Sequence, residues 1–411
     1  MRAPRLNPMS GSVALVLVLV TLAVISTVVI EIMYRSQVTA TVVMNRRDSE
    51  KAYELARAAV RWSMFRLQLD KALDSIPAIP GTNYGGPKDD LQEFQWAVPL
   101  PYPFSAAAAA AAMGEGAKVS EDRQNAGEKA KEAKQMEALG GSFLSVIHDE
   151  SSKINLNDVG SGGFGPNRRW SGTAEVLENL LLSPRFKGYF RDTDHRNVLW
   201  AIDDWTDMDS EINHLGGGVE DVEYQTEDRN LHVKNGPFYS VDEVRLIRPM
   251  TDDLFRELKP FITVYPFDAR YPRGPGLQVN EIGHINVNTA PLEVIAAIFN
   301  REVLPGDQDR FACAQEIVKF RKNVVFRSTD SGGKPPSFLD TAAQLCKVSA
   351  RGQQGTPEMI RQAVRKILSV ASDTFFVEAT GIAENTDRTI LTVLSRQDPA
   401  KPPKILYWKV I

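Results

Sequence analysis

The chain has 411 residues, 24% of them charged and 43% hydrophobic, and a formal net charge of −4 at pH 7. That balance excludes a wholly disordered chain, a polytopic membrane protein and a collagen-like chain, and it leaves room for two or three domains around a real core. Slight acidity argues against non-specific nucleic-acid binding, and two cysteines exclude a disulfide-dense scaffold or a Cys-only zinc site.

The averages hide a local feature. Residues 13–30 read VALVLVLVTLAVISTVVI, in which 13 of 18 residues are Val, Leu or Ile, and no charge falls between Arg5 and Glu31. Val13, Leu17, Val20, Leu22, Ile25 and Ile30 mark a helix of about 27 Å, enough to cross the hydrocarbon of a bilayer. Insertion of this run is favourable by about 5 kcal/mol. Arg2 and Arg5 precede it and no acid does, which predicts a cytoplasmic N-terminus and the remainder of the chain outside, on a single-pass anchor. A cleaved signal with a cut near Val38-Thr39-Ala40 and a plain anchor are the competing readings.

Neither Gly nor Pro occurs from Ser12 to Ile76. Beyond the apolar run, Ala52, Leu55, Ala56, Ala59, Trp62 and Ser63 recur at helical spacing. The simplest structure is one helix over 13–76, near 90 Å long, apolar all round in its first part (transmembrane over 13–33) and amphipathic in its second.

Six prolines between 77 and 104 predict irregular structure, with FQWAVPL (94–100) a candidate short strand. Residues 105–141 are rich in Ala, Lys, Glu and Gln without an aliphatic stripe, which predicts a surface insertion, disordered or transiently helical. SFLSVIHDESSKINLN (142–157) alternates as one or two strands. From 170 to 370 short helices follow one another, opened by Ser240 with Glu243, by Thr251, by Thr289 before Pro291, and by Thr356 before Pro357. I-N-[LV]-N occurs at 154–157 and again at 285–288, which suggests two related helical subdomains with Asn155, Asn157, Asn286 and Asn288 in turns or caps. Period-two patterning returns in FFVEATGIA and RTILTVLSR, with KILYWKVI a further strand.

Residues 203–228 hold ten acids and no Lys or Arg. Asp203, Asp204, Asp207, Asp209, Glu211, Glu220 and Asp221 could supply oxygen ligands to calcium, with Gly216 to Gly218 folding the loop back; the alternative is a solvated acidic loop. The spacing is not that of an EF-hand, because Ile212 stands where that loop needs Gly. Cys313 and Cys346 either pair in an oxidising compartment or stay as two buried thiols. The five histidines lack a nucleophile motif, and no G-x-S-x-G, Walker or H-E-x-x-H sequence occurs, so the expectation is no enzyme. Carboxylate pairs are numerous enough that composition alone does not eliminate glycoside hydrolysis.

The leader, with Gly11 and Ser12 ahead of VALVLVLV, together with KINLNDV (153–159), AIDDWTDMDSE to GGGVEDVEY (201–224), GPFYSVDEVRLIRPMTDDLFRELKPFITVYP (236–266), HINVNTAP (284–291) and DTFFVEATGIAENTDRTILTVLSR, resembles the type II secretion system protein K family, the minor pseudopilins K of the general secretion pathway. The resemblance implies an α+β fold: a type IV pilin-like long N-terminal helix with a small antiparallel sheet, interrupted by a large inserted α-helical domain of two SAM-like, helix-hairpin-like subdomains. It implies a leader over 1–12, the pilin helix over 13–76, head strands over 77–157 with the 105–141 insertion, an inserted α-domain over 158–370 and closing strands over 371–411. Prepilin peptidase would cut after Gly11 or after Ser12, giving Ser12 or Val13 as a methylated start; cutting after Gly11 is the preferred register. The fifth mature residue is then Val16 or Leu17, not the Glu of major pilins, which fits a tip position. Implied partners are the minor pseudopilins I and J, the pseudopilus, a secreted substrate and the outer-membrane channel, with calcium in the acidic segment and no nucleic acid. The implied function is capping of the pseudopilus and export of folded proteins across the outer membrane. The competing reading is an anchored periplasmic binding protein whose helix-hairpin-helix-like modules serve DNA uptake; the turn Arg248-Pro249-Met250-Thr251 has no glycine and a proline without an N–H, which weakens it.

Overall fold

The structure is a computed structural model that describes residues 8–74, 99–102, 140–162, 172–190, 194–207, 225–226, 229–230, 232–267, 284–333, 335–349, 357–384, 386–396 and 401–411. Helix α1 spans Pro8–Asp74, 67 residues in one piece, as a segment free of Gly and Pro from Ser12 onward dictates. Pro8 at its start is compatible with a first helical turn, and Gly11 and Ser12 lie within the helix. Val13 to Met44 stay exposed to every other part of the chain, whereas Ala52, Ala56, Ala59, Ser63 and Leu67 are all fully buried along one face.

That face lies on a five-stranded antiparallel sheet with β1 Leu100–Tyr102, β2 Ser142–Asp149, β9 Thr374–Ala383, β10 Thr386–Ser395 and β11 Lys404–Val410 in that order. Strand β2 pairs with β9 from Ser142↔Ile382 to Asp149↔Phe375, although more than 220 residues separate the partners in sequence. Alternation explains the layer: Phe375, Val377 and Ala379 are fully buried under α1, with Ile390 and Leu394 from β10, while Glu378 between them is exposed. The close approach of helix and sheet requires Gly381, where a Cβ would stand 2.1 Å from the Ala52 carbonyl oxygen and 2.5 Å from the Ala56 nitrogen.

Everything between β2 and β9 is an insert. Its described elements are β3 Ile154–Asn155, α2 Thr173–Leu181, α3 Arg196–Thr206, β4 Gln225–Thr226, β5 Arg229–Asn230, α4 Asp252–Leu258, β6 Ile262–Thr263, β7 Ile285–Asn286, α5 Leu292–Ile298, α6 Asp307–Arg321, α7 Phe338–Leu345, α8 Gln362–Lys366 and β8 Leu368–Ser369, with 3-10 turns between them. The head segment expected over 77–157 therefore divides at Asp149, because Ile154 and Asn155 pair in parallel with β6 inside the insert rather than joining the sheet. The strand expected over 94–100 is seen only at its end, as β1; residues 94–98 and most of 105–141 lie outside the described residues.

The repeated I-N-[LV]-N motif closes two equivalent modules. In the first, β3 pairs with β6; Asn155 Oδ1 accepts the Asn157 N–H at 3.0 Å, and Asn157 Nδ2 donates to the Phe238 and Val264 carbonyls at 3.0 and 2.8 Å while its Oδ1 accepts the Phe238 N–H at 2.8 Å. In the second, β7 pairs with β8; Asn286 Oδ1 accepts the Asn288 N–H at 2.9 Å, and Asn288 Nδ2 donates to the Phe326 and Val370 carbonyls at 3.0 and 3.1 Å while its Oδ1 accepts the Phe326 N–H at 2.9 Å. The first Asn of each motif makes an Asx-turn; the second clamps a distant phenylalanine backbone as a strand would. Both modules share one core, joined across α2: Asn179 donates to the Ala297 carbonyl at 2.9 Å, and the Arg361 guanidinium meets Glu175 at 3.1 Å.

Local start signals fared unevenly. Thr251 accepts from the Leu254 N–H at 3.2 Å and opens α4. Ser240 opens a 3-10 turn instead of an α-helix, and Glu243 reaches back to the Tyr239 N–H, one residue beyond the cap. Thr289 caps nothing: α5 starts at Leu292 after Pro291, and the Thr289 hydroxyl donates to Asp149. Pro357 does not start a helix either; α8 begins at Gln362, and Thr356 lies outside the described residues.

Candidate functional site

Three features set what this architecture can do. The first is the exposed apolar half of α1. Among the described residues one helix is long and apolar enough to cross a membrane, and none of its most apolar window is buried by the rest of the protein. Val13, Leu17, Val20, Leu22, Ile25 and Ile30 all stand on it, each more than half exposed, a surface that water would not tolerate uncovered.

The second is the direction of α1 across the sheet. Arg388, just past the β9–β10 hairpin, donates to Ser49, while the other end of the sheet holds the end of the helix. There Lys71 pairs with Asp373 at 2.8 Å, and Arg396 pairs with Asp70 and donates to the Leu67 carbonyl at 3.1 Å and the Ser372 carbonyl at 3.2 Å. The Arg396 guanidinium lies 4.7 Å from the Phe375 ring centroid, so one buried cation ties helix, sheet and insert exit together. The insert leaves the sheet at Asp149 and returns at Asp373, both at this end. It is therefore rooted about 87 Å along the helix from Val13. Its core runs onto the sheet face opposite α1 through Val393, Phe376 and Tyr407.

The third is the acidic segment. Asp203 and Asp204 are both buried, at 7% exposure, on the last turn of α3, and the Asp207 N–H caps that helix on the Asp203 carbonyl at 2.9 Å. Trp205 stacks on Phe238 with centroids 6.0 Å apart, which fixes this turn beside the first Asn clamp. Asp209, Glu211, Glu220 and Asp221 lie outside the described residues, as do Gly216 to Gly218. Among the described residues no group of three His, Cys, Asp or Glu is placed to hold a metal ion. The two buried carboxylates have the hard-oxygen chemistry that calcium takes, and they stand where the acidic segment begins.

Cys313 on α6 and Cys346 just after α7 are joined in a disulfide with Cα atoms 5.1 Å apart, a staple confined to the second module. Arg321, at the end of α6, donates to the Val287 and Ala290 carbonyls at 2.8 and 2.6 Å; burial lowers its pKa to about 10. Two groups escaped the sequence reading. Asp149 ends a strand whose alternation buries Phe143, Ser145 and Ile147, so a carboxylate in the buried register was there to be found. Arg396 follows the last buried residue of β10 and carries no local signal.

A family model described as Type II secretion system (T2SS), protein K, matches residues 152–267, which is the first module with its closing strand. Type II secretion system protein K of Pseudomonas aeruginosa is 29% identical over 198 residues, 46% of this chain and 48% of that protein. The protein K of Pectobacterium carotovorum subsp. carotovorum is 24% identical over 223 residues, 51% of this chain and 60% of that protein. The chain thus spans about half the length of the curated relatives it matches. A chain of the GspK-GspI-GspJ complex from the enterotoxigenic Escherichia coli Type 2 Secretion System shares the fold, with a TM-score of 0.51 at 14% identity over 90% of this chain and 99% of that one. Long helix, antiparallel sheet and helical insert recur together in that neighbour, and residues 152–267 of this chain match the type II secretion system protein K family model.

Proposed function

We propose that the chain is a minor pseudopilin of a type II secretion machine, anchored in the inner membrane by α1 and placed at the tip of the pseudopilus, where it promotes export of folded proteins across the outer membrane. The observation that carries this reading is the position of the insert. A bulky two-module body rooted at the far end of the pilin-like helix leaves no room for a further subunit to stack above it. An apolar residue, Val16 or Leu17, at the fifth position of the mature chain agrees, since a subunit with none above it needs no carboxylate there. The protein K domain and the complex named for the structural neighbour support the minor pseudopilins I and J as partners. The role is structural rather than catalytic. Arg2 and Arg5 put the N-terminus in the cytoplasm before cleavage and the bulk of the chain in the periplasm.

In the same reading, Asp203, Asp204, Asp207, Asp209, Glu211, Glu220 and Asp221 hold calcium, which would relieve the mutual repulsion of a segment with ten acids and no base. Isothermal titration of the detergent-solubilised chain tests this; no heat and no thermal shift with calcium would remove the site. The assembly itself is tested by affinity capture of the tagged chain from membranes that also express pseudopilins I and J. Recovery of a stoichiometric complex that lacks the major pseudopilin above the tag supports the tip position. A chain recovered alone, or incorporated along the fibre, contradicts it.

A further inference from the structure

The root of the insert contains a buried hydrogen-bonded cluster that the secretion role does not use. Asp149, at the end of β2, is 8% exposed. Its Oδ1 accepts the Ser151 N–H at 2.8 Å. Its Oδ2 accepts from two hydroxyls: Ser372 Oγ, on the segment that returns to the sheet, and Thr289 Oγ1, on the turn that opens the second module. Ser372 Oγ in turn accepts from Asn286 Nδ2 at 2.6 Å, which ties in the Asn motif of that module. One carboxylate thereby joins both chain crossings between sheet and insert and the module beyond them.

The charged groups around the cluster are already engaged. Glu150, next in sequence, pairs with Lys153; Asp373 pairs with Lys71 from α1; Arg396 from β10 pairs with Asp70 and donates to the Ser372 carbonyl, not to Asp149. Among the described residues, the β7 turn brings Thr289 to Asp149 directly and Asn286 to it through Ser372, and both are neutral. His148 points to the other side of β2, near the Phe376 ring. Ionised Asp149 thus relies on neutral donors. The cluster also accommodates the neutral acid: a proton on Oδ2 can be donated to Thr289 Oγ1, whose own hydrogen then turns to the Asn286 carbonyl, 3.5 Å away. Both protonation states are hydrogen-bonded, and only one buries an uncompensated charge.

We propose that Asp149 is a protonation-controlled latch that sets how firmly the helical insert is seated on the sheet. Burial raises its pKa to about 6, against which the bonds from Ser372, Thr289 and Ser151 pull it down. A carboxyl raised in the folded state favours folding below that value and loses the contribution as pH rises through it, so the seat is firmer at pH 5 than at pH 7.5. Linkage gives about a tenfold change in the equilibrium constant over that interval from this group alone.

The test compares the full chain in detergent micelles with Asp149→Asn, by urea unfolding at pH 5 and pH 7.5 and by hydrogen exchange corrected for intrinsic rate. The wild type should gain about tenfold relative to the variant on acidification. Extra protection at pH 5 should concentrate at 149–152, 286–289 and 372–374. Parallel pH curves for the two proteins, or protection spread evenly over the insert, would overturn the latch. Ser372→Ala serves if the Asn variant does not fold. Loss of a donor to the carboxylate should move the midpoint of the pH effect upward, and an unmoved midpoint contradicts the proposal.

Discussion

Gly381 is where the pilin-like helix and the sheet touch backbone to backbone, so Gly381→Ala probes the contact that holds them together. The added Cβ would stand 2.1 Å from the Ala52 carbonyl oxygen, 2.5 Å from the Ala56 nitrogen and 2.8 Å from the Leu55 Cβ. Two of the three neighbours are backbone, so no rotamer change relieves the overlap; the helix must lift or β9 must bend. Lifting α1 loosens Ala52, Ala56, Ala59 and Leu67, all fully buried, from Val377 and Ala379 beneath them. Overpacking of this kind costs about 1–3 kcal/mol, and rigid neighbours place it at the upper end. About 3 kcal/mol corresponds to a roughly 150-fold larger unfolding constant. The measurement is urea unfolding of the full chain in detergent followed by near-UV circular dichroism. Gly188→Ala, which meets nothing within 4 Å, is the control and should change stability by less than about 0.5 kcal/mol. A Gly381→Ala variant as stable as wild type would refute the close-packed interface.

Three further outcomes follow from the packing. Asn157→Ala and Asn288→Ala each remove three hydrogen bonds and leave buried backbone groups of Phe238 or Phe326 without their partner, so each should cost about 3 kcal/mol in urea unfolding, and by similar amounts if the two modules are true equivalents. Removing the Cys313–Cys346 link, which spans 33 residues, should cost about 3–4 kcal/mol, with hydrogen exchange accelerated in α6 and α7 and unchanged in the first module. Leu22→Arg places a charge at the centre of the apolar run and should oppose insertion by about 3–4 kcal/mol, read as a shift of the chain from the membrane to the soluble fraction.

What the sequence makes legible is what short-range physics controls. The long helix follows from an eighteen-residue run dominated by Val, Leu and Ile and from the absence of Gly and Pro from Ser12 through Ile76. Strands β9 and β10 follow from alternation, and Phe375, Val377 and Ala379 are buried as period two requires. The pairing that makes a single sheet from them is not legible, because β2 meets β9 across the whole insert. The Asn motifs announce turns, and they make them. Their second Asn residues also reach partners 81 and 107 residues away in the first module, which no window along the chain contains. Ladders of two residues such as β3–β6 and β7–β8 are too short to pattern. Thr289 shows the converse error: a residue with the chemistry of a cap is taken by Asp149, 140 positions earlier, because a buried carboxylate needs donors more than a half-buried helix start does. The disulfide could be read only as one of two options, since spacing says nothing of Cα separation. In the acidic segment, Asp203 and Asp204 belong to the buried end of a helix, whereas composition alone presents all ten acids as one loop.

The central claim is that this chain works as a processed pseudopilin rather than as a plainly anchored or secreted protein. N-terminal sequencing of the protein extracted from the inner membrane tests it most directly. A mature start at Ser12 or Val13, carrying an N-methyl group, is the predicted result; an intact Met1, or a start at Thr41 from signal-peptide cleavage, would contradict the account.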